Sequence, residues 1–134
     1  MESTNFELLQ QRWPHLYEHA IDAERYAHSD PHTAIVKLRC FAEQLVGVLY
    51  REFNLPCENN DGLFEKLKAD VFVNVVDEAI IEKLHAIRML GNKAAHGRRV
   101  KSSDALSLVH EAYLIGQWLY KTYSGTSVND YPIY

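Results

Sequence analysis

The stretch PHTAIVKLRCFAEQLVGVLYREF, residues 31–53, decides the fold. Ala34, Ile35, Leu38, Phe41, Ala42, Leu45, Val48, Leu49 and Phe53 recur at steps of three and four, a period that belongs to a helix with one apolar face and that no strand reproduces. Asp30 before Pro31 marks its start. The carboxylate can accept from free backbone amides, while proline takes a position whose missing N–H needs no partner.

On the N-terminal side, Phe6, Leu8, Leu9 and Trp13 predict a short opening helix, and Pro14 starts a second one running to about His28 with Leu16, Ala20, Ala23 and Ala27 as its apolar stripe. On the C-terminal side, NLPCENNDG at 54–62 is a loop, with Asn60 or Asp61 expected to cap a short helix through Phe64 and Leu67. VFVNVV at 71–76 is rich in β-branched residues but has no second strand to pair with, so it reads as loop or helix start. From Val76 through Ile80, Leu84, Ile87 and Gly91 to Ala95 the period is helical again, with Gly97 as a left-handed stop. Ser102 or Ser103 is expected to cap a last helix that buries Ala105, Leu108, Val109, Ala112, Ile115 and Leu119. Short connections make neighbouring helices antiparallel, and the fold class is all-α, an antiparallel bundle of about five to six helices.

Composition agrees with this architecture. The 134 residues suit one domain, and 47% hydrophobic against 24% charged residues is too apolar for disorder. Six Gly and four Pro are too few for a many-stranded sandwich. Fourteen Lys plus Arg against 18 Asp plus Glu leaves a charge of −4, so any contact with nucleic acid has to be local. Cys40 and Cys57 show no CxxC or CxxH spacing, which points to a reduced, cytoplasmic protein. No secretory signal opens the chain, and no apolar run approaches the ~18 residues of a membrane span. Neither metal nor disulfide is needed to hold a chain of this length together.

The chemistry-bearing segment is IRMLGNKAAHGRRVK, residues 87–101. Arg88, Asn92 and His96 recur every four residues and form a polar stripe on a helix, bordered by the small residues Gly91, Ala94 and Ala95 that let a neighbour come close. Arg39 and Glu43, also four apart, are the expected partners, so that Arg39, Glu43, Arg88, Asn92 and His96 make one polar network between two helices. The functional alternative makes His96 an acid or base and Arg88 a phosphate clamp, for RNA cleavage or nucleotide binding. Lys93, Arg98, Arg99 and Lys101 form the dense positive cluster of an acidic chain. It either complements a helix C-terminus or contacts phosphate or a protein partner.

Other candidates carry less. His15 and His19 share a helix face, but without HExxH or a placed third ligand they assign no metal site. His28 and His32 flank a helix start and are expected to contact water. Trp13, Trp118, Tyr113, Tyr120 and Tyr123 read as core or interface anchors rather than base-stacking platforms. No GxxxxGK[ST], GxSxG, catalytic triad or paired-carboxylate motif occurs, so no catalytic residue is assigned.

Four blocks, FELLQQRWPHLYEHAIDAERYAHSDP, LRCFAEQLVGVLY, IRMLGNKAAHG and DALSLVHEAYLIGQWLYKTYSG, together resemble the N-terminal helical domain of the R (restriction, motor) subunit of type I restriction–modification systems, a domain family of unknown function. The resemblance implies a non-catalytic accessory domain at residues 1–123 and a linker at 124–134. ATP-dependent DNA translocation and cleavage would lie in downstream domains, and ATP and Mg²⁺ would be needed only there. The implied partners are the other R-subunit domains and the methyltransferase and specificity core, with DNA reached through the parent complex and no membrane involved. The implied setting is defence in a bacterial or archaeal cytoplasm. The family also resembles the HEPN group of helical bundles, which implies a HEPN-like fold, allows a homodimer, and offers the alternative of a ribonuclease using Arg88 and His96. Seven residues separate those two here, a longer spacing than that group's motif.

Overall fold

The structure, a computed structural model, describes residues 5–124. After a 3-10 turn at Glu7–Leu9 come six α-helices: α1 (Pro14–Tyr26), α2 (Pro31–Glu52), α3 (Leu63–Lys68), α4 (Asp70–Val73), α5 (Glu78–Ala95) and α6 (Ser102–Ser124). The described residues contain no strand.

Helix α2 is the axis of the core. The Asp30 carboxylate accepts from the Thr33 amide at 3.2 Å and from its hydroxyl at 2.6 Å, the cap expected from the sequence. Phe41, Leu38, Leu45 and Leu49 are fully buried along its inner face. Phe6 meets Phe41 and Tyr113 edge-on, each with ring centroids 6.4 Å apart, which fastens the opening turn onto α2 and α6.

Contacts at the helix ends set the topology. His32 in the first turn of α2 meets the carbonyl of Ala94 in the last turn of α5, so these two run antiparallel. Ser102 at the start of α6 donates to the His28 carbonyl just past α1 at 3.0 Å, while Arg12, just before α1, donates to the Tyr123 carbonyl in the last turn of α6 at 2.8 Å. α1 and α6 are thus antiparallel as well. The four long helices alternate up, down, up, down, with α3 and α4 bridging α2 to α5. Tyr50 holds that bridge, donating to the Lys66 carbonyl at 2.7 Å and stacking on Phe72 at 5.5 Å.

Several local expectations need correction. Gly62, not Asn60 or Asp61, precedes α3, and the Asp61 carboxylate instead accepts from the Glu58 amide inside the loop at 3.0 Å. Residues 70–73, in keeping with the loop-or-helix-start reading of 71–76, form a helical turn that buries Phe72 while Val71 and Val73 face outward. Helix α5 begins at Glu78, because Asp77 accepts from the Ala79 amide at 3.0 Å. Neither Ser102 nor Ser103 caps α6. Asp104 reaches back to the Lys101 amide at 3.1 Å, and Ser102 is already helical. Gly97 does adopt the left-handed conformation, φ 77°, which a residue with a Cβ occupies only under strain. The expected linker at 124–134 lies, beyond Ser124, outside the described residues.

Candidate functional site

The α2–α5 contact is built on Arg39. Its Nε donates to Glu43 Oε1 at 3.1 Å, and its Nη1 donates to Asn92 Oδ1 at 2.5 Å on α5. The side chain can cross because α5 carries Gly91 there: a Cβ at that position would sit 3.2 Å from Arg39 Cδ. The close approach expected at Gly91 is therefore made by a long side chain rather than by a neighbouring backbone. Glu43 and Arg39 also border a cavity of about 260 Å³ whose other wall is Asp61, Gly62, Leu63 and Lys66.

Arg88 and His96 point elsewhere. Arg88 lies with its guanidinium 4.8 Å from the Phe64 ring centroid on α3, and its Nε donates to His85 Nδ1 at 3.4 Å. Lys68 Nζ lies over the same ring at 4.7 Å. Burial, and then the Arg88 charge, hold the His85 imidazole below its ordinary pKa. His96 ends α5, its amide bonded to the Asn92 carbonyl at 3.0 Å and its side chain exposed. Helix geometry explains this division. Four residues overshoot one turn by about 40°, so the stripe winds from α3 at Arg88, to α2 at Asn92, to solvent at His96. Of the five residues expected in one network, the structure joins Arg39, Glu43 and Asn92.

Lys93, Arg98, Arg99 and Lys101 are all exposed around His96, with Val100 buried between them as an anchor. The loop that carries Arg98, Arg99 and Lys101 is pinned on both sides. His32 Nε2 bonds the Ala94 carbonyl at 2.8 Å, and Ser102 bonds the His28 carbonyl. His32, an exposed residue, thus also ties the start of α2 to a helix-end carbonyl. Lys93 and Arg98 also edge an open groove of about 470 Å³ floored by Ala86, Met89 and Leu90.

Two arrangements were missed by sequence reasoning. Phe64 serves as a platform for two cations, a role that no spacing within the chain encodes. Arg12 lies 5.0 Å from the Trp13 ring and 5.7 Å from that of Tyr123, and pairs with Glu52 at 3.6 Å, which clamps the end of α6. Among the described residues no group of three or more His, Cys, Asp or Glu is placed to hold a metal ion. His15 pairs with Glu18 at 3.9 Å. No helix among these residues is long and apolar enough to cross a membrane.

Residues 22–124, which include α2 to α6 and both polar clusters, match the profile of a family described as Domain of unknown function (DUF4145). The chain belongs to the DUF4145 family. The chain is also 31% identical over 134 residues to the type I restriction enzyme EcoKI endonuclease subunit of Escherichia coli strain K12, with 99% of the chain aligned. That relative agrees with the resemblance to type I R subunits carried by the four sequence blocks. The DUF4145 chain spans 11% of the relative's length. No solved structure matches it.

Proposed function

We propose that this DUF4145 domain is a non-catalytic docking module of a type I restriction enzyme endonuclease subunit. The carrying observation is the 31% identity, across 99% of the chain, to a stretch that makes up 11% of a restriction endonuclease subunit. The geometry supports the same reading. Arg39 and Asn92 are engaged in crosslinking helices, Arg88 is engaged with Phe64 and His85, and His96 stands apart from both. In this reading ATP and Mg²⁺ serve other domains, the setting is the cytoplasm, and the bundle keeps a HEPN-like form without its cleavage chemistry. The pinned basic loop at Arg98, Arg99 and Lys101 is the docking edge, facing the remaining restriction complex or the DNA phosphates it holds.

The test is association. The chain is titrated against the rest of the endonuclease subunit and the methyltransferase core, with and without duplex DNA. Binding that weakens with salt and is lost in the Arg98→Glu, Arg99→Glu, Lys101→Glu variant is the expected result. Equal binding by the variant would remove the loop from the reading, and RNA cleavage dependent on His96 would replace the reading with the ribonuclease one.

A further inference from the structure

The outward side of α5 carries Glu78, Glu82, Ala86, Met89 and Lys93, continued past the helix end by His96, and all six are exposed. Met89, at 61% exposure, is the most exposed large hydrophobic residue among those described. This stripe lies opposite the buried Ile80, Leu84, Ile87 and Ala94, and along the helix it changes from acidic through apolar to basic. Its midpoint falls between Ala86 and Met89. Among the described residues no ion pair engages Glu78, Glu82 or Lys93, although Lys83 on the flank of the same helix pairs with Glu111 at 2.9 Å.

Such a stripe is complementary to itself when reversed. If a second α5 is laid against it end for end, Met89 meets the second copy's Ala86 beside the two-fold axis. Glu82 then meets the second copy's Lys93, and Glu78 meets its His96. Each contact occurs twice, as an isologous interface requires, and the opposed helix dipoles favour the same arrangement. The groove floored by Ala86 and Leu90 offers a seat for the unbranched Met89 side chain. A parallel arrangement would set Glu against Glu and Lys against Lys.

From this we infer that the outer face of α5 is a self-association surface whose occupant is the antiparallel α5 of a second copy of this chain. The inference rests on residues 78–96 and not on the 98–101 loop of the docking function proposed above, although Arg98 edges the same groove.

The test is light scattering with sedimentation equilibrium on the 134-residue chain. A dimer whose Kd rises with ionic strength is expected. Glu82→Lys and Lys93→Glu should each weaken it at least about tenfold, since each places like charges together twice. A one-to-one mixture of these two variants should recover pairing, because opposite charges meet again in the mixed dimer. Circular dichroism checks that each variant keeps its helices. A wild-type chain that stays monomeric up to about 100 μM, a range in which specific dimers form, would overturn the inference. So would a dimer indifferent to both reversals, or variants that fail to pair on mixing.

Discussion

Arg39 reaches from α2 across Gly91 to donate to the side-chain carbonyl of Asn92 on α5, and so joins two helices whose sequence positions are far apart. The bond is partly exposed, with the Arg39 side chain at 34%. Asn92→Ala is therefore expected to lower stability by about 1 kcal/mol, the usual net worth of such a bond. Gly91→Val should cost more, about 2 kcal/mol, because it forces extra volume against Arg39. Chemical denaturation of both variants checks the order.

His96 and His32 differ in a way their sequence neighbourhoods do not advertise. His96→Ala removes an exposed side chain at the end of α5 and should change stability by no more than about 0.5 kcal/mol. His32→Ala removes the partner of the Ala94 carbonyl and should cost about 1 kcal/mol. A large loss in the first variant, or none in the second, would contradict this assignment.

Acidification should destabilise the bundle from near pH 6.5 downward. His85, held low by burial and then by Arg88, and His19, held low by burial and then by Lys37, both have folded pKa values below the ordinary imidazole value of 6.5. A depressed histidine pKa means that the unfolded chain binds the proton first. Its contribution to stability is then whole above the unfolded pKa and lost as pH falls through the folded one. Melting temperatures measured between pH 8 and pH 5 should fall, and the His19→Gln, His85→Gln variant should show a flatter profile.

What could be read from the sequence was what local chemistry decides. The α2 period, its Asp30–Pro31 start and the Gly97 stop depend on residues next to one another, and the structure has all three. That small residues at Gly91 admit a close neighbour was legible, and so was Arg39 as a partner of the α5 stripe. The division of Arg88, Asn92 and His96 was not. Equal spacing hides a rotation that sends each to a different neighbour, and the neighbours are set by packing. The start of α6 was obscured for a similar reason. Ser102 and Ser103 both suit a cap, but the Ser102 hydroxyl is drawn to the His28 carbonyl, which comes near only in the folded bundle, and it is Asp104 that takes the Lys101 amide.

We propose that this DUF4145 domain docks and does not cut. The most direct test is to incubate the purified chain with single-stranded RNA, single-stranded DNA and duplex DNA, with and without Mg²⁺, beside the His96→Ala and Arg88→Ala variants. Intact nucleic acid is expected in every lane, with wild type and variants alike. Cleavage by the wild-type chain that disappears in His96→Ala would contradict the proposal.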